Sequence, residues 1–154
     1  MKHDLAHRFE HLDENMMKVE VNLDDISSEW LGYVMDLLFE VGVNDVFYIP
    51  IYMKKNRPGV MLQVLCDTKN LELVKSIIFA ETTTLGIRYY PASVHRLERR
   101  FIKVDTHLGR VSVKQGFHKG MLVQQAPEYE DCRKLAEKHK IPLQLVFQEV
   151  WKEL

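Results

Sequence analysis

The chain predicts an α+β fold: a ferredoxin-like βαββαβ lobe over residues 17–98, then a small lobe of one β-hairpin and two helices over residues 99–154. Three observations predict it. Residues 18–23, Lys-Val-Glu-Val-Asn-Leu, alternate polar and apolar side chains, the pattern of a half-buried strand. Two later segments carry apolar residues at helical spacing, the stripe with which a helix covers one face of a sheet. Between them, alternating apolar runs flank Asn56-Arg57-Pro58-Gly59, turn chemistry that joins two strands as a hairpin.

Residues 1–16 are polar and read as a lead-in or interdomain linker. His3, His7 and His11 would share one face if that segment were helical, a spacing suited to nickel or zinc. An exposed linker with incidental histidines is the simpler account. After the first strand, Asp24-Asp25-Ile26 forms a loop and Ser27 is a good N-cap. Leu31, Val34, Met35, Leu38 and Val41 make the first helical stripe, which Gly42 closes. Strands are expected over residues 45–52 and 60–65, on either side of the basic hairpin. Asn70 is expected to cap a second helix running to Phe79, with Leu71, Val74, Ile77 and Ile78 inward. The run Glu81-Thr82-Thr83-Thr84-Leu85-Gly86-Ile87-Arg88-Tyr89-Tyr90 leads into a fourth strand.

The small lobe follows a basic crossing segment at residues 95–100. A hairpin over residues 101–113 turns at Leu108-Gly109, and Met121-Leu122-Val123 suggests a short strand. Pro127 is expected to open a helix with acids in its first turn and Lys138 and Lys140 at its end, as the helix dipole favours. Pro142 opens the last helix, where Leu143, Val146, Phe147, Val150, Trp151 and Leu154 form a broad apolar face, broad enough to meet a neighbouring subunit.

Composition narrows the function. With 46% apolar and 28% charged residues in 154, and a formal charge of −1, the chain is ordinary for a globular domain. It lacks the basic surplus of a duplex-binding protein, a run long enough for a membrane span and a signal-peptide pattern. The expectation is a cytoplasmic protein that binds neither nucleic acid nor membrane. Cys66 and Cys132 have no CxxC spacing and fall on apolar stripes, so both read as core residues.

The predicted topology carries the functional argument. In a βαββαβ lobe the first and second strands run the same way and the second helix runs with them. Three polar loops therefore meet at one end of the sheet: Asp24-Asp25 through Glu29, Lys54-Lys55-x-Arg57, and Glu81 through Thr84. The first helix points its free N–H groups at that end. Oxygen ligands suit Mg²⁺ or Mn²⁺, and such a metal is commonly shared between one or two carboxylates and phosphates. Asp24, Asp25 and Glu29 are the candidate metal ligands. Lys54, Lys55 and Arg57 are candidates for a triphosphate, with Thr82, Thr83, Thr84 and Arg88 for phosphate or ribose. Arg96, Arg99, Arg100 and Lys114 are secondary candidates. No catalytic residue stands out, and no Walker A or GxGxxG motif is present.

Four blocks carry a resemblance. Residues 19–29, Pro50-Ile51-Tyr52-Met53-Lys54-Lys55-Asn56-Arg57-Pro58-Gly59, residues 81–88 and Pro127-Glu128-Tyr129-Glu130-Asp131-Cys132 resemble the C-terminal domain of the LarC family, from about Met17 to the end. Met-Lys-Lys-x-Arg-Pro-Gly is the most specific of them. Family members usually have Met-Thr-Pro-Glu where this chain has Ile26-Ser27-Ser28-Glu29, a change that keeps the cap hydroxyl and the acid. The resemblance implies a CTP-dependent cyclometallase of lactate racemase cofactor biosynthesis. Such an enzyme inserts Ni²⁺ into pyridinium-3,5-bisthiocarboxylic acid mononucleotide while CTP is cleaved to CMP and pyrophosphate. It implies that this domain binds CTP with manganese or magnesium, that the protein is oligomeric, and that a separate N-terminal domain completes the reaction. The expectation is that this chain holds the nucleotide-binding half.

Three other readings can be weighed on the residues alone, and the first is disfavoured. An RNA-binding module would need exposed aromatics on the central strands, and residues 60–65 offer none. An ACT-like regulatory ligand-binding module, or an oligomerisation domain without catalysis, would use the same fold without a metal–nucleotide.

Overall fold

A computed structural model describes residues 9–154, which divide into two compact units. One is Asp13–Val94; the other is His95–Leu154 with the described residues that precede Asp13.

The first unit is built from β1 (His11–Leu23), α1 (Ser28–Glu40), β2 (Asp45–Met53), β3 (Arg57–Asp67), α2 (Leu71–Glu81) and β4 (Arg88–Arg96). Its sheet has the order β2-β3-β1-β4, the ferredoxin-like arrangement the alternation and helical stripes predict. β1 and β3 pair antiparallel with Val19 opposite Val64 and Val21 opposite Leu62, so their apolar faces coincide. Leu31, Val34 and Leu38 of α1, with Leu71, Val74 and Ile78 of α2, close over that face. Each such fully buried aliphatic side chain contributes about 1.5–3 kcal/mol. Tyr48 enters the same core and donates its hydroxyl to the Leu31 carbonyl at 2.7 Å, and burial pushes its pKa up to about 12. Cys66 is fully buried there too, its thiol pushed up by burial.

Local signals behave as their chemistry requires at α1. The Ser27 hydroxyl accepts the Trp30 amide at 3.3 Å, and Gly42 takes φ +81 just past the C-cap. Two differ. β1 begins at His11, earlier than the alternation over residues 18–23 predicts, because Met16 is buried and continues the ladder opposite Asp67. His11 is thus in a strand, where its ring meets the Phe9 carbonyl at 2.9 Å; a helical array of histidines does not extend to it, and His3 and His7 lie outside the described residues. Asn70 stands at the N-cap of α2 as expected, but its side chain makes no capping bond there. It has helical backbone angles inside a short turn, and Asp67 caps that turn through the Lys69 amide at 2.9 Å.

The second unit contains β5 (Glu98–Thr106), β6 (Gly109–His118), β7 (Met121–Pro127), α3 (Tyr129–His139) and α4 (Leu143–Lys152). Its sheet, β5-β6-β7, extends the expected hairpin by a full third strand. Pro127 ends that strand opposite Val113 rather than opening a helix; at a sheet edge its missing N–H costs no ladder bond. Glu128 then occupies the N-cap of α3. Asp131, in the first turn, accepts the Ser112 amide at 2.9 Å and its hydroxyl at 2.6 Å, which fastens α3 to β6 and holds the carboxyl below its usual range. Val104, Val111, Val113, Cys132, Val146 and Val150 form the core, while Trp151 on α4 and Leu154 just beyond its end remain exposed. Among the described residues, no helix is long and apolar enough to cross a membrane.

Candidate functional site

At one end of the four-stranded sheet, three loops come into contact. β1 ends at Leu23, and Asp24 and Asp25 follow before the Ser27 cap. The β2–β3 connection is a tight turn over Lys54–Asn56, with Lys55 at φ +63 and Asn56 at φ +55. Asn tolerates this left-handed conformation; for Lys it costs about 1–2 kcal/mol. Strain of this kind persists where surroundings impose it, and it is concentrated at functional loops. The hairpin's base is pressed onto the Asp24 loop. A β-carbon at Gly59 would lie 2.5 Å from the Leu23 carbonyl oxygen and 3.3 Å from the Asp24 Cα, so glycine is required there.

Side chains link the loops. Arg57 Nη1 lies 3.5 Å from Asp24 Oδ2, and the Thr83 hydroxyl donates to Asp25 Oδ1. The Arg57 side chain is 58% exposed and that of Asp24 only 19%. A long contact with one exposed partner is worth about 1 kcal/mol or less, so an anion that engages Arg57 displaces it at little cost. Lys54 and Lys55 are exposed on the same turn.

The other predicted residues divide. The Thr82 hydroxyl donates to the Ile78 carbonyl at 2.7 Å, capping α2, and that of Thr84 donates to the Gly86 carbonyl at 2.8 Å. Thr83 is therefore the one of the three whose hydroxyl reaches an acid on another loop. Glu29 sits exposed in the first turn of α1. Among the described residues, Asp24, Asp25 and Glu29 do not gather their ligand atoms within 4.8 Å of one another. A pre-built cage of three acids is absent, whereas two adjacent carboxylates open to a phosphate-bound ion fit Mg²⁺ or Mn²⁺, which keep only one or two protein carboxylates. Arg88 turns from the loops to Asn22 Oδ1 at 2.9 Å and Glu20 at 3.6 Å. The secondary cations belong to the other unit: Arg100 pairs with Glu98 at 2.6 Å over the Phe117 ring, and Lys114 lies 3.6 Å from Glu128.

Arg88 leads to a network that sequence reasoning missed. On the sheet face away from the helices, Gln63, 2% exposed, donates to Glu20 Oε1 at 2.9 Å, and the Tyr90 hydroxyl donates to the same oxygen at 2.7 Å. Hydrogen bonds from Gln63 and Tyr90, then the charge of Arg88, hold the Glu20 carboxyl below its usual range. The alternation of residues 18–23 assigns Glu20 and Asn22 to one face. Their pairing with Gln63 and Met61 depends on the register with β3, which no local pattern states.

The chain matches the family described as nickel insertion protein over residues 5–147. The pyridinium-3,5-bisthiocarboxylic acid mononucleotide nickel insertion protein of Acetivibrio thermocellus is 48% identical over 145 residues, 94% of this chain and 35% of that protein. Its counterpart in Clostridium acetobutylicum is 43% identical over 140 residues, 91% of this chain and 33% of that one. This chain thus spans about a third of the length of these curated relatives. The apo structure of LarC2, the C-terminal domain of a cyclometallase involved in the synthesis of the NPN cofactor of lactate racemase, matches with a TM-score of 0.87 and 38% identity over 93% of this chain and 98% of that one. A protein of Methanopyrus kandleri matches with a TM-score of 0.69 and 32% identity, over 90% of this chain and 87% of that one.

Proposed function

Because the chain belongs to the nickel insertion protein family, we propose that it is the part of a nickel insertase that binds CTP with a divalent metal. The observation that carries this reading is the meeting of three loops at one sheet end, through Arg57 with Asp24 and Thr83 with Asp25. Bound manganese or magnesium would offset phosphate charge. Asp24 and Asp25 would hold it, with Glu29 near enough in sequence to bind through water. Lys54, Lys55 and Arg57 would take the triphosphate oxygens, Arg57 through its planar fork. Thr83 would orient Asp25, and the N–H groups at the start of α1 would add partial positive charge.

In the whole protein, this nucleotide would be cleaved to CMP and pyrophosphate while nickel enters pyridinium-3,5-bisthiocarboxylic acid mononucleotide. A further N-terminal domain would be required, in keeping with the greater length of the relatives. Self-association of this domain is also expected, with the exposed Trp151 of α4 and Leu154 beyond its end as the natural contact.

Calorimetric titration with CTP, ATP and GTP, each with and without Mn²⁺, tests the proposal. Metal-dependent binding selective for CTP, lost in Lys54→Ala plus Arg57→Ala, is the expected result. Selective binding that survives the double substitution would keep the function and remove these loops from it. Binding of no nucleotide would sink the reading for this chain.

A further inference from the structure

The unit that contains β5, β6 and β7 holds a second cluster of chemistry-bearing side chains, drawn from three distant points of the sequence. Glu10 Oε1 receives His118 Nδ1 at 2.6 Å and His95 Nε2 at 2.7 Å. Its other oxygen, Oε2, accepts the backbone amide of Lys119 at 2.7 Å. The imidazole rings stand edge to face, 6.2 Å apart. The backbone aims these groups. A register shift between Gly116 and Phe117 re-directs the end of β6, and Lys119 at φ +49 with Gly120 at φ +77 makes the tight turn that presents the amide.

Two imidazoles pointing at one carboxylate oxygen are held together, without a metal, by shared protons. The same ring edges carry lone pairs when neutral. Ligand atoms of the three residues all lie within 4.8 Å of one another, and an ion with bonds of about 2.1 Å needs its donors about 3–4 Å apart. The Lys119 amide supplies the outer contact that orients a ligating carboxylate. The side chains of His95 and His118 are 57% and 42% exposed, which leaves coordination positions open to water or an incoming ligand.

We propose that Glu10, His95 and His118 form an exchangeable binding site for Ni²⁺, built from residues other than those of the loops assigned to the nucleotide. Imidazole donors favour nickel, copper or zinc over the oxygen-preferring manganese and magnesium, so this donor set and the Asp24–Asp25 pair select different metals. The choice of nickel among the imidazole-preferring ions rests on the function proposed above. Two imidazoles and one carboxylate bind such an ion with positions to spare, the arrangement of a site that passes metal on.

Titration of the 154-residue chain with NiCl₂ in the absence of nucleotide tests this, with Glu10→Gln, His95→Ala and His118→Ala as variants. The expected result is one Ni²⁺ per chain at this site, bound about tenfold or more weakly in each variant, with far-UV circular dichroism unchanged in the near-isosteric Glu10→Gln. X-ray absorption of the nickel-loaded chain should show two imidazoles. A His3→Ala plus His7→Ala variant should bind as the parent does. Retention of nickel by all three cluster variants, its loss in the His3/His7 variant, or a preference for Mn²⁺ overturns the proposal. A failed CTP titration would leave a positive nickel titration standing, so the two readings fail separately.

Discussion

The loop cluster at Asp24, Arg57 and Thr83 and the cluster at Glu10, His95 and His118 hold their carboxylates in opposite ways. Asp24 has a single long contact to an exposed guanidinium at 3.5 Å. Glu10 is gripped by a backbone amide and two imidazoles within 2.7 Å, and these bonds bring its pKa down from the usual 4.5 to about 2. The first arrangement is hard, oxygen-based and loosely tied, so an incoming polyphosphate can reorganise it. The second is preorganised and nitrogen-rich, so it suits a metal that forms stronger bonds to imidazole. Two clusters of similar size in one short chain are thereby suited to different ions.

The sharpest way to break this comparison is to cross the readouts. Lys54→Ala plus Arg57→Ala should weaken metal–CTP binding about a hundredfold or more, enough to lose it from the titration, since two charge-assisted contacts worth about 1.5–3 kcal/mol each are removed, and leave nickel affinity unchanged. Glu10→Gln should do the reverse. A variant that weakens both would show one coupled site rather than two.

Gly59→Ala comes next. Its β-carbon would meet the Leu23 carbonyl at 2.5 Å, so β3 must shift. Urea unfolding should show a loss of about 1–3 kcal/mol, with nucleotide affinity falling alongside it. Unchanged stability would mean that the hairpin base is not pressed onto the Asp24 loop. Thr83→Val should have a smaller effect, removing one hydrogen bond worth about 1 kcal/mol and costing CTP affinity about fivefold. Thr82→Val should instead lower stability by capping loss, with little change in binding.

The smallest effect is an acid limb. The folded Glu10 pKa is depressed, so its stabilising contribution is complete above 4.5 and is lost as the pH falls through about 2. Urea midpoints of the parent and Glu10→Gln, followed from pH 6 to pH 2, should converge at the acid end. Parallel curves would show that the three donors do not stabilise the ionised carboxyl.

Much of the first unit is legible in single residues. Val19, Val21 and Leu23 alternate and are buried, and Ser27 and Gly42 bound α1. The hairpin is there as expected, but its turn is Lys54–Asn56, and Arg57, Pro58 and Gly59 are already paired in β3 with Met53, Tyr52 and Ile51. Legibility ends where a residue's local preference competes with a neighbour. Asn70 is a good cap by type, but its side-chain amide goes to the Gly42 carbonyl and Asp67 caps the short turn before α2. Pro127 looks like a helix opener until β7 is seen to pair with β6 as the edge strand of its sheet, where a proline is accepted.

The candidate sites divide along the same line. Asp24-Asp25, Lys54-Lys55-x-Arg57 and Thr82-Thr83-Thr84 are short runs in which several polar groups are already adjacent, and the βαββαβ order alone brings their loops to one end of the sheet. Those placements follow from chain direction, which periodicity encodes. Which threonine reaches an acid, and which arginine turns to Glu20 instead, depends on register and rotamer. Glu10, His95 and His118 were beyond sequence reading for a stronger reason. They are separated by 85 and 23 residues: the bulge and tight turn at the end of β6 place His118 and the Lys119 amide, while Glu10 comes from the residue before β1 and His95 from β4, the strand beside it. Local pattern determines elements and the ends at which their loops emerge; contacts between side chains remote in sequence are decided by tertiary packing, because no short-range energy depends on them.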